Sequence, residues 1–167
     1  MSALDTEDGS ENRNTAARSE TQDFVTMLIA DQWFGIPVLG VQEVLGPQNI
    51  ARVPLAPSEV AGSLNLRGRI ATAIELRKKL SLPSREEGQS EMSIVVDRKG
   101  ELYSLVIDSV GEVLTVSPAQ YERNPPTLEP AVREISQGIY RLEDKLLVVL
   151  DVDRLLNQEQ STMQTAA

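Results

Sequence analysis

Few spacings in this chain could carry chemistry. Asp151 and Asp153 lie two apart at the end of an apolar run. On a strand both side chains would face one side, and paired carboxylates can hold a divalent cation or share a proton as an acid/base pair. The second aspartate also falls where a helix would start, and an acid is favourable there with no metal. Gly62 and Gly68 bracket SLNLR, which is neither GxGxxG nor a P-loop because no Gly-Lys-Ser/Thr follows. Ser63 and Thr72 have no base to activate them. Arg77, Lys78 and Lys79 form a basic cluster whose default reading is solvated charge at a strand end. Trp33 and Phe34 flank a tight turn, where packing is the simpler reading, since a ligand cage would need several converging aromatics.

The residue inventory narrows the chemistry further. There is no cysteine, so disulfides, thiolate nucleophiles, Cys-ligated zinc and iron–sulfur clusters drop out together. There is no histidine, which removes the commonest neutral-pH base and any Ser-His-Asp or Cys-His site. Carboxylate, Lys or Tyr chemistry remains. Sixteen basic against 25 acidic residues leave a net charge of −9, which repels polyphosphate and argues against nucleic acid as a partner. No signal peptide opens the chain and no run approaches the ~18 apolar residues of a membrane span. The expectation is a cytoplasmic protein with no metal, no cofactor and no direct membrane insertion.

Two stretches look like contact surfaces. In Asn65-Leu66-Arg67-Gly68, Asn and Gly suit a turn with positive φ, and Arg67 should project outward. It is either a solvated arginine closing a loop or a docking contact, a use for which Arg is over-represented at interfaces. In Val41-Gln42-Glu43-Val44-Leu45, strict alternation puts Val41 and Glu43 on one side and Gln42 and Val44 on the other. An exposed valine beside an exposed acid is either a small binding patch or an imperfect strand.

The elements that must position these residues are mostly strands. Residues 1–22 and 158–167 are polar and lack the apolar surface to offset ordering entropy, so both read as disordered tails around one folded unit, 23–157. Phe24–Ala30 and Trp33–Val38 read as a hairpin closed by Asp31-Gln32. Strands are expected at Val41–Leu45, Ile70–Leu76, Met92–Asp97, Glu101–Asp108, Val110–Val116, Ile135–Leu142 and Lys145–Asp151. Ile50–Leu55, with its internal proline, reads as an edge or strand end. Helical turns are expected at Pro57–Leu64, after Ser117-Pro118, and from Asp153. Ten or so short strands with brief helices make an all-β barrel or sandwich, and periodicity leaves that choice open.

The order of motifs resembles the CheW family of bacterial chemotaxis adaptors. The carrying stretches are Phe34–Val44 (FGIPVLGVQEV), Val60–Gly68 (VAGSLNLRG) with Ile74–Arg77 (IELR), Leu105–Val110 (LVIDSV) with Glu112–Leu114, and Gly138-Ile139 followed by Leu146–Leu156. Departures are Thr72 where members usually have Pro, Glu75 for the usual Asp, and Ser104 for a frequent Gly. The resemblance implies two five-stranded SH3-like β-barrel subdomains packed on a shared hydrophobic core. It implies a non-enzymatic adaptor bridging the cytoplasmic hairpin tip of transmembrane chemoreceptors to the regulatory domain of a CheA-type histidine kinase, recruited from the cytoplasm to receptor arrays. The receptor-facing residues it implies are Val41, Glu43, Gly62, Asn65 and Arg67, with Gly62 letting a partner helix approach. Rival readings are an adaptor of a paralogous pathway such as surface motility, a kinase regulatory domain or receiver fusion, and a carboxylate-dependent β-barrel enzyme using Asp151 and Asp153.

Overall fold

The structure, a computed structural model, describes residues 20–157. Residues 1–19 of the first expected tail and all of the second lie outside this range; Gln22, assigned to the first tail, begins a strand. The strands are β1 (Gln22–Ile29), β2 (Gln32–Pro37), β3 (Val41–Leu45), β4 (Val60–Leu66), β5 (Arg69–Glu75), β6 (Met92–Arg98), β7 (Glu101–Ile107), β8 (Ser109–Val116), β9 (Tyr121–Glu122), β10 (Ser136–Arg141) and β11 (Leu146–Leu150). Short helices follow as α1 (Leu76–Lys79), α2 (Pro130–Ile135) and α3 (152–157), with 3-10 turns at Val38–Gly40 and Pro118–Gln120.

Three hairpins close on two residues that both have positive φ, the geometry that matches strand twist. They are Ala30-Asp31 (48° and 66°), Arg67-Gly68 (52° and 88°) and Lys99-Gly100 (53° and 84°). The first turn therefore sits one residue earlier than expected, and Gln32 pairs with Ile29.

The strands form a six-stranded sheet, β8-β1-β2-β11-β10-β9, and a five-stranded sheet, β3-β6-β7-β5-β4. The fold is all-β on two sheets, as the resemblance implied, with the two-residue β9 as a sixth strand in the first. The second sheet is one continuous stretch of chain placed between β2 and β8, so the first sheet is assembled from both ends of the folded region.

Three apolar layers alternate with the sheets. Val25, Met27, Ile29, Phe34, Ile36, Val148 and Leu150 of the first sheet meet Ile74, Ile94, Val96, Leu105 and Ile107 of the second in the shared core. Leu64, Ala71, Ala73, Val95, Leu102 and Val106 fill the other face of the second sheet. Phe24, Val116, Leu147 and Val149 fill the other face of the first. Along β7, residues 103, 105 and 107 enter the shared core while 102 and 106 enter the second cluster. A strand buried on both faces reads as a continuous apolar run rather than an alternating one.

Two expectations fail locally. Pro57–Leu64 is not helical: β4 starts at Val60, with Val60, Gly62 and Leu64 buried in strand alternation. Ile50–Leu55 keeps only an isolated bridge, Ala51 to Ser63, before Val53–Ala56 turns.

Candidate functional site

Arg67 is the first residue of the β4–β5 turn, and its side chain is 83% exposed. Its guanidinium Nη2 donates to Glu43 Oε1 on β3, whose side chain is 28% exposed. β3 and β4 are the two edges of the five-stranded sheet, so this ion pair spans the opening between them. As a largely exposed pair it contributes no more than about 1 kcal/mol to stability.

The turn beneath Arg67 is held by its neighbours. The Gly68 N–H donates to Asn65 Oδ1 at 2.8 Å. Asn65 pairs across the hairpin with Ile70, which is exposed. Arg69 extends the other way, donating to the Gly100 carbonyl at 3.0 Å and lying 3.6 Å from Asp97. Arg67, Glu43 and Asn65 are thus brought together at one end of the second sheet.

Val41 and Gly62 are placed differently. Val41 pairs with Val96 and Glu43 pairs with Val95, with a bulge between them. Opposite residues of an antiparallel pair share a face, so Val41 follows Val96 toward the shared core, against which it packs, while Glu43 follows Val95 to the other face. The inserted residue at Gln42 overturns the expectation that Val41 and Glu43 share a side. Gly62 has φ 147°, and a Cβ there would lie 2.1 Å from the Ala51 carbonyl oxygen. The space expected to admit a partner helix is filled by the chain itself, through paired bonds of 2.8 Å between Ala51 and Ser63. Gly62 therefore shapes β4 and presents no surface.

Asp151 and Asp153 diverge. Asp151 caps α3, its Oδ1 accepting from the Arg154 N–H at 3.1 Å, and Asp153 Oδ1 accepts from Arg98 Nε at 3.1 Å. The helix begins one residue ahead of its expected start, and each carboxylate is committed to a different donor. Phe34 is fully buried, and Trp33 packs at the rim with Lys145 Nζ 4.2 Å from its ring centre, which is packing rather than a cage.

An ion network under the loop before β6 was not foreseen. Arg77, expected to be solvated, is buried and donates twice to Asp108, Nε to Oδ1 at 2.9 Å and Nη2 to Oδ2 at 2.6 Å. Arg85 donates to Asp108 Oδ1 and to Glu75 Oε2, both at 2.9 Å. Asp108 Oδ2 also accepts from the Ala30 N–H at 2.9 Å, tying the β1–β2 turn to the second sheet. Burial pushes the Asp108 carboxyl up, but the hydrogen bonds from Arg77, Ala30 and Arg85 outweigh it and hold the group below its ordinary value. The network ties the loop before β6 and the β1–β2 turn to the end of β7. Local sequence carries no signal for it: Arg77 stands between Leu76 and Lys78, and the partner aspartate lies 31 positions away.

The chain matches the CheW-like domain family over residues 23–160. It is 28% identical over 140 residues to the chemotaxis protein CheW of Helicobacter pylori, covering 84% of each chain. It is 26% identical over 148 residues to the chemotaxis protein CheW of Klebsiella aerogenes, covering 89% of each. The crystal structure of the scaffolding protein TtCheW from Thermoanaerobacter tengcongensis superposes with a TM-score of 0.69 at 27% identity, over 77% of this chain and 88% of that one. The matched span takes in both sheets, the β3 bulge and the Arg67 hairpin, and the chain belongs to the CheW-like domain family.

Proposed function

We propose that this protein is a non-catalytic chemotaxis adaptor that couples transmembrane chemoreceptors to a CheA-type histidine kinase through two separate surfaces. Membership of the family and the printed names of its relatives, a chemotaxis protein and a scaffolding protein, support the reading. The observation that carries it is the exposed Arg67, steadied by Glu43 on a hairpin at the rim of the second sheet. A guanidinium presented on a rigid tip, with exposed Ile70 beside it, suits a helical hairpin that offers carboxylates and apolar ridges. The first sheet, across the shared core, leaves a second surface for the regulatory domain of the kinase. Residues 23–157 would form the working unit, cytoplasmic and recruited to receptor arrays. Among the described residues no helix is long and apolar enough to cross a membrane. Coupling would be positional, receptor motion biasing a conformational equilibrium of the kinase.

Arg67→Glu tests the reading, because it sets a second acid against Glu43 and reverses the charge shown to the receptor. Pull-downs should show receptor binding weakened roughly tenfold or more, with kinase binding and the circular dichroism spectrum kept. Receptor-dependent kinase stimulation in membranes should fall in parallel. A variant that binds both partners at wild-type strength would overturn the assignment.

A further inference from the structure

The three two-residue hairpins differ in one respect that separates what Asn65 does from the contact role the resemblance gave it. In the β4–β5 hairpin the second turn residue, Gly68, donates its N–H to the side-chain oxygen of the residue three before it, Asn65 Oδ1, at 2.8 Å. In the β6–β7 hairpin beside it, Gly100 donates to the residue at the same register, Asp97 Oδ1, at 3.0 Å. The turn dihedrals agree within a few degrees, 52° and 88° against 53° and 84°. In the β1–β2 hairpin that register is Leu28, which offers no acceptor. What Asn65 and Asp97 share is an oxygen on Cγ. The amide nitrogen of Asn65 has no counterpart at Asp97, so the turn uses the oxygen alone.

Arg67 needs this support. It is a non-glycine residue at φ 52°, a region that left-handed sterics disfavour for a residue with a Cβ. From that turn its guanidinium donates to Glu43. We infer that Asn65 is a positioning residue, whose carbonyl oxygen holds the Arg67-Gly68 turn so that Arg67 is presented to the partner, and that Asn65 does not itself touch the partner. The inference rests on the proposed receptor reading of Arg67.

The test compares Asn65→Asp, Asn65→Ala and Arg67→Glu in the full chain, against a soluble cytoplasmic chemoreceptor fragment, with amide exchange at Gly68 followed by NMR. Asn65→Asp should bind within about twofold of wild type and keep the Gly68 amide protected, as Asp97 does for Gly100. Asn65→Ala should bind roughly three- to tenfold more weakly and exchange Gly68 faster by a similar factor, the loss expected for one hydrogen bond. Asn65→Asp binding as weakly as Asn65→Ala with Gly68 still protected would mean that the amide touches the partner, and would overturn the inference. Wild-type binding by Asn65→Ala would overturn it too. Should Arg67→Glu also bind normally, the receptor reading fails, and Gly68 exchange then decides the turn role alone, unchanged exchange in Asn65→Ala sinking it.

Discussion

Ser104 lies at the centre of β7, fully buried between Val95 of β6 and Ala73 of β5, and its hydroxyl has no hydrogen-bond partner among the described residues. A buried hydroxyl left unsatisfied destabilises by about 1 kcal/mol or more. Ser104→Ala should therefore raise Tm by about 2–4 °C in a domain of this size, read by differential scanning calorimetry. Glu75, another of the departures, has visible work: its side chain accepts from the Arg77 N–H at 3.3 Å and from Arg85. Single residues were legible in the sequence when their role was local. Arg67 at a turn glycine was read as outward-facing, and it is. The reading of Arg77 as solvated charge is wrong, because its partner arrives from the end of β7 and local sequence carries no trace of a partner so remote.

At the scale of elements, strand alternation and turn chemistry made most of the second sheet readable, and two insertions hid the rest. In β3 one extra residue turns Glu43 away from the face that Val41 takes, so a five-residue alternation read correctly as a strand gave the wrong partition of faces. In β4 the proline at 57 resembles a helix start, but strand pairing prevails, with a bulge between Val60 and Gly62 that sends Val60 to the shared core and Leu64 to the second cluster. Close approach of the Ala51 carbonyl makes glycine obligatory at 62. Gly62→Ala should destabilise by about 3 kcal/mol or more through strain and collision, lowering Tm by about 6–12 °C in a thermal melt. A stability loss within error of zero would mean that the 50–52 segment moves aside easily and that β4 does not depend on it.

At the scale of the molecule, the shared core holds the two sheets together, and Asp108 adds a charged tie where the chain passes from the second sheet back to the first. Its folded pKa lies below the unfolded value, so its contribution is present above the ordinary aspartate value of about 3.9 and is lost as pH falls toward the lower folded one. Urea titrations should show wild-type stability dropping below about pH 4. Asp108→Asn leaves Arg77 and Arg85 without the carboxylate, which should cost about 3 kcal/mol at pH 7 and flatten the curve between pH 5 and 3. An unchanged acid slope would place the sensitivity at another carboxylate.

The route of the chain through its two sheets bears on how it is made. A nascent polypeptide leaving the ribosome has the whole of β3–β7 available to pair locally, whereas β1 and β2 wait for β8 and β11 to flank them. The middle of the chain can condense early, and the opening hairpin stays an unfinished edge until the last strands are synthesised, the slow, long-range closure that sets the pace for topologies of this kind.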